Sequence, residues 1–106
     1  MGYISEDYCS EELSGMLMER GYIGAINTYL GKDDINVKQI TIQSAMKWLR
    51  EKEIFVEVTH TLFSSPHKYQ YSIFRTEPEF YTTGDEHKSY EEACEAAIKY
   101  CLENLI

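Results

Sequence analysis

The closing segment SYEEACEAAIKYCLENLI carries Cys94 and Cys101, and a pair of thiols is the first place to look for redox or metal chemistry. Seven residues along a helix return two side chains to one face but leave them about 10.5 Å apart along the axis. A disulfide needs Cα atoms within about 7 Å, and cysteine metal ligands usually stand about two to four residues apart, as in C-x-x-C. The pair satisfies neither condition, so both thiols are expected as small buried hydrophobes. Cys9, just ahead of the first helix, is expected nearer the surface, with no neighbouring cation to activate it.

The histidines do not converge in sequence. His60, His67 and His87 fall on a strand, a turn and a loop, and no H-x-x-x-H or H-E-x-x-H spacing links them. His60 lies on the apolar side of its strand. Together with nearby tyrosines it keeps open an alternative reading as a small enzyme or ligand binder. Asp33-Asp34 and Asp85-Glu86 are adjacent carboxylates in turn-like contexts, whereas acid–base catalysis needs carboxyl groups opposed across a pocket with separated pKa values. The spacing of a calcium loop, the nucleophile elbow and the phosphate- and dinucleotide-binding glycine patterns are missing from the sequence. No catalytic, cofactor-binding or metal residue is therefore assigned, no cofactor is expected, and the balance is against an enzyme.

Charge narrows the partners. Eighteen acidic residues against ten basic ones give a net charge of -8, and the excess runs through both halves of the chain. Such a field repels phosphate backbones and anionic lipid, so direct nucleic-acid binding is not expected. It is compatible with an acidic inhibitor occupying a basic surface of a host nucleic-acid-binding or defence protein. The start, MGYISEDYCSEEL, lacks a basic stretch followed by an apolar one, so a signal peptide is not expected. No apolar run is long enough to span a bilayer. With an odd number of cysteines, these features point to reduced thiols in a cytoplasmic setting.

One domain over 1–106 is expected from the length, with 1–9 as a loosely ordered lead-in. Ser10 caps a helix over Glu11–Arg20 that ends at Gly21, with Tyr22 folding back on Leu17. Residues 22–40 read as a small hairpin turning at Gly31–Asp34, or as a loop with one strand. Thr41 caps a second helix with Ile42, Ala45, Met46 and Leu49 on one stripe. Trp48 lies about 110° from that stripe, a boundary position half packed and half available.

IFVEVTHTLF and KYQYSIFRT then alternate as the arms of a hairpin around SSPH, and Phe80–Thr83 adds a short edge strand before a Gly84-Asp85 turn. The last helix opens on Ser89-Tyr90-Glu91-Glu92, a capping box. Its expected apolar face is Tyr90, Cys94, Ala97, Ile98, Cys101 and Leu105. The order α-(β)-α-β-β-β-α describes an α+β domain, a small antiparallel sheet of about three strands packed against helices.

The functional signal is aromatic. Nine tyrosines, four phenylalanines and one tryptophan are many for 106 residues. Trp48, Phe55, Phe63, Tyr69, Tyr71, Phe74 and Tyr81 map to the sheet or its borders, and aromatics are enriched at protein interfaces. These seven are the candidate interaction surface.

TIQSAMKWLREKEIFVEV, the tyrosine-rich hairpin and SYEEACEAAIKYCLENLI together resemble a group of small proteins of gut Bacteroidetes and their phages or mobile elements. The likeness runs from Ser10 to the end, through Gly21-Tyr22, the WLRE helix at Trp48–Glu51 and the closing S-Y-E-E-A. This chain has Ser44 where the group tends to have Gln or Glu. The resemblance implies an origin and a fold, but no activity. The expected function is a non-enzymatic protein-interaction or accessory module acting through an aromatic sheet face or a sheet edge, with an unidentified protein partner or a second copy in a homodimer.

Overall fold

A computed structural model describes residues 8–30, 36–61 and 68–106. The expected turns at 31–34 and 64–67, Phe63, His67 and residues 1–7 of the lead-in lie outside the described residues.

Helix α1 spans Glu11–Glu19, and the Ser10 hydroxyl accepts the Leu13 amide at its start. Its end follows from Gly21, whose φ of 87° suits a residue without Cβ. The Tyr22 amide donates to Leu17 O (3.0 Å) and the Gly21 amide to Met18 O (3.2 Å), the paired bonds of a Schellman motif. Tyr22 and Leu17 are thereby drawn together into the core.

Strands β1 (Asn27–Leu30) and β2 (Asn36–Gln39) form an antiparallel hairpin. Helix α2 follows over Ile42–Glu51, with the Thr41 hydroxyl accepting the Ser44 amide. Thr41 also donates its hydroxyl proton to Ser44 Oγ at 2.8 Å, so serine at this position gives the cap a second bond. Just past α2, Glu53 takes φ 62°, a left-handed conformation that a side chain disfavours.

Three strands follow: β3 (Ile54–Thr61), β4 (Lys68–Thr76) and β5 (Glu79–His87), antiparallel in the order β3-β4-β5. The expected short strand at 80–83 is in fact nine residues long, and no turn forms at Gly84-Asp85. Instead the register shifts by one residue there: Ser72 pairs with Thr83 but Gln70 with Glu86, so Gly84 and Asp85 together face Tyr71 as a bulge. The reason is steric. The Tyr71 ring lies against Gly84 so closely that any Cβ would overlap it, and Gln70 Nε2 donates to Gly84 O at 2.8 Å. Glycine here accommodates a neighbouring ring rather than a reversal of the chain.

Helix α3 (Tyr90–Asn104) begins where the Ser89 hydroxyl accepts the Glu92 amide (3.1 Å). It lies across all three strands of the larger sheet, with α2 beside it against β3 and α1 packed on α3 and β2. Its buried residues are Ala93, Cys94, Ala97, Ile98, Cys101 and Leu102. The stripe is therefore rotated from the expected one: Tyr90 is exposed and Leu105 only half-buried. Ile54, Ile73 and Tyr71 meet it from the sheet, and Leu13, Leu17, Ala45 and Leu49 from the other helices. Each fully buried leucine or isoleucine contributes about 2 kcal/mol relative to exposure.

Tyr8 and Cys9, described residues just before α1, are held by the β1-β2 hairpin's trailing end. The Cys9 amide donates to Ile40 O (2.8 Å) and the Ile40 amide donates to the buried Ser14 hydroxyl (3.2 Å). Tyr8 pairs with Thr41. Cys9 is completely buried, because this short pairing carries it beneath α1.

Two substitutions read these backbone devices. Gly84→Ala is expected to lower stability by about 2 kcal/mol, as an over-packed position does. Glu53→Gly is expected to raise it by about 1 kcal/mol through relief of the left-handed strain. Urea titrations followed by circular dichroism measure both; an unchanged midpoint for Gly84→Ala would contradict the ring-on-glycine packing.

Candidate functional site

Antiparallel register decides which side each residue occupies, since directly opposed residues share a face. Ile54, Val56 and Val58 oppose Arg75, Ile73 and Tyr71, and this side is covered by α3. Phe55 opposes Phe74, which opposes Tyr81. These three rings form a row across β3, β4 and β5 on the side away from α3. Phe55 and Phe74 stack with centroids 5.0 Å apart and planes at 18°. Phe74 is 39% exposed and Tyr81 67%.

The neighbouring positions on this open side are polar. One step along the strands lie Glu53, Thr76 and Glu79, where Thr76 Oγ1 donates to Glu53 Oε1 at 3.3 Å. One step the other way lie Glu57, Ser72 and Thr83. Each step is about 7 Å, two residues of strand, so carboxylates flank the aromatic row on both sides. Glu53, Glu57 and Glu79 are all exposed. Lys68, on the same face by strand alternation, stands six residues from Phe74 along β4, about 20 Å away. Arg75 is directed to the other side, where its guanidinium lies 5.7 Å from the Phe80 ring and its Nε donates to Pro78 O.

Of the seven candidate aromatics, Phe55, Phe74 and Tyr81 come together on the open face, and Phe63 lies outside the described residues. The other three do not join them. Trp48 is only 5% exposed, not half available. Tyr22, folded back by the end of α1, packs edge-on against it at 5.7 Å, and the Lys52 ammonium sits 4.8 Å from its ring. A helical wheel holds no information about either cover. Tyr71 is 8% exposed on the covered side, with His87 stacked on it at 6.2 Å. Tyr69 is half-buried there, between His60 (4.9 Å) and Tyr90 (6.2 Å, edge-on).

The residues that sequence reasoning missed are the flanking carboxylates Glu53 and Glu79. Their signal was available only through pairing: both neighbour Thr76, which the strand alternation places on the Phe74 side.

His60, Tyr69, Tyr90, Tyr71 and His87 form an aromatic corner on the α3 side. His60 packs on Tyr69 and Tyr69 on Tyr90, while Tyr71 packs on His87. Two clefts lie elsewhere. One of about 200 Å³ lies between α1 and α3, lined by Leu13, Met16, Glu95 and Lys99. The other, of about 220 Å³, lies between residues 22–25 and α2. Among the described residues no group of three histidine, cysteine or acidic side chains could hold a metal ion, and no helix is long and apolar enough to cross a membrane.

None of the three cysteines is in a disulfide, and all are buried. Burial pushes the Cys9 thiol up to about 12, with the Glu95 carboxylate and Cys94 adding to the effect. Burial alone raises Cys101 to about 12. Thiols held protonated this far above neutral pH are poor nucleophiles.

Comparison of the chain with family models, curated proteins and solved structures finds no match, so fold and site rest on their own geometry.

The raised thiols make stability depend on alkaline pH. Both folded values lie above the ordinary 9.0, so the unfolded chain loses protons first. The thiols' contribution is fully present below pH 9 and is lost as pH rises toward 12, at up to about 1.4 kcal/mol per pH unit for each thiol. Tyr22 and Tyr71, also raised by burial, add in the same direction above pH 10. Denaturation midpoints measured from pH 8 to 11 are expected to fall from pH 9 upward. Cys101→Ala is expected to lower the whole curve but flatten its slope between pH 9 and 10; an unchanged slope contradicts the burial of the thiol.

Proposed function

We propose that the chain is a non-enzymatic protein-interaction module that docks a partner on the open face of the β3-β4-β5 sheet. The observation that carries this reading is the Phe55–Phe74–Tyr81 row, held on the side away from α3, where no helix among the described residues packs. Stacked rings on a rigid sheet present apolar area at little entropic cost on binding, the property that enriches aromatics at protein interfaces. The polar rim of Glu57, Thr59, Ser72 and Thr83 is the surround such a patch needs to stay hydrated when free. The same row serves a separate protein or a second copy of the chain. A phage or mobile-element origin rests on the sequence resemblance alone.

A photoreactive phenylalanine at Tyr81 is expected to cross-link a discrete protein in the cells that express the chain. The same probe at Lys47, exposed on α2, is expected to give no such adduct. Equal adducts from both positions, or none from either, overturn the docking reading.

A further inference from the structure

The open face carries more than apolar area: its charge is of one sign near the rings. Glu53 and Glu79 lie on one side of the Phe55–Phe74–Tyr81 row and Glu57 on the other, while Lys68 is about 20 Å away along β4. A second copy would bring the same carboxylates against these, and like charges facing each other at an interface are penalised. A cationic partner gains at the same positions.

The identity of the favoured cation follows from the rings. A guanidinium is planar and weakly hydrated, stacks on aromatic faces and forks onto carboxylates, whereas an ammonium keeps its hydration shell more tightly. The other side of the same sheet contains the stacking part of that arrangement within the chain, where the Arg75 guanidinium lies 5.7 Å from Phe80. We propose that the open face takes an arginine-bearing, positively charged segment of a partner protein. The guanidinium lies over the Phe74–Tyr81 rings, and Glu53, Glu57 and Glu79 supply the flanking charge. This rests on the docking reading above and adds the chemistry of the occupant.

The test uses a fluorescein-labelled Gly-Arg repeat peptide and its Gly-Lys counterpart of equal length and charge. Binding to the whole chain is followed by anisotropy and by backbone amide shifts. The Gly-Arg peptide is expected to bind about fivefold more tightly than the Gly-Lys peptide, and Tyr81→Ser and Phe74→Ser are each expected to weaken it about fivefold. Glu57→Gln combined with Glu79→Gln is expected to flatten its salt dependence. Tyr81 is well exposed, so Tyr81→Ser keeps the test open if Phe74→Ser fails to fold. Equal affinity for the two peptides with no loss in Tyr81→Ser overturns the proposal, since net charge alone then explains binding; so does the absence of saturable binding. A Tyr81 cross-link to an acidic or purely apolar segment, or to a second copy, overturns the arginine inference while leaving the docking reading in place.

Discussion

The contact between α3 and the β3-β4-β5 sheet is the constraint from which the rest of the molecule follows. A small sheet with one apolar face must bury that face against something apolar. Here the cover is a helix whose buried residues are mostly small. Ala93, Cys94, Ala97 and Cys101 let its backbone lie close to the strands, and Ile98 and Leu102 fill the remaining space. The Ser89 cap sets where the helix begins and hence which residues turn inward. Cysteine serves in this layer as a side chain slightly larger than alanine that carries no obligatory hydrogen bond. Its protonated state is a consequence of the packing.

Around that contact the remaining elements are attached by short, specific links. The Ser10 amide donates to Glu95 Oε1 at 3.0 Å, tying the start of α1 to the middle of α3. Arg20 Nη1 donates to Ile106 O at 3.1 Å at the opposite end. The Lys99–Glu12 pair at 3.8 Å joins the same two helices but is exposed on both sides, so it adds little beside the buried leucines. The strand-like pairing of Tyr8 and Cys9 with residues 40–41 brings the β1-β2 hairpin into the core through Ile40 and Ser14. Ser14 is a buried hydroxyl that meets a backbone amide, which is how a polar group becomes acceptable there.

Single-sided cover has a second consequence. Alternate residues of β3, β4 and β5 face away from α3, and among the described residues no helix packs on them. Most are threonine, serine, glutamine or glutamate, as solvent requires. Phe55, Phe74 and Tyr81 depart from that rule in one line across the sheet, between carboxylates. An aromatic line in a polar field on a rigid surface is the feature on which the proposed docking function rests.

Signals that depend on a few adjacent residues were legible in the chain. The Ser10, Thr41 and Ser89 caps, the Gly21 stop, the alternation of the central hairpin and the burial of Cys94 and Cys101 are properties of spacing, because helix and strand geometry repeats over a few residues. With them came the α+β class and the order of elements. What spacing does not contain is the identity of the neighbour brought from elsewhere. Trp48 is buried because Tyr22 is folded over it, Cys9 because its amide finds Ile40, and Gly84 belongs to a bulge because the Tyr71 ring needs the room. The sorting of the candidate aromatics is partly of the same kind. Strand alternation alone sets Tyr69 and Tyr71 opposite Phe74 within β4; pairing register and the position of α3 then decide which face is covered and bring Tyr81 beside Phe55 and Phe74 on the open one. Local spacing in the chain sets the order of the elements and the periodicity within each. Tertiary structure decided which face of each element meets water, since that depends on what packs against it.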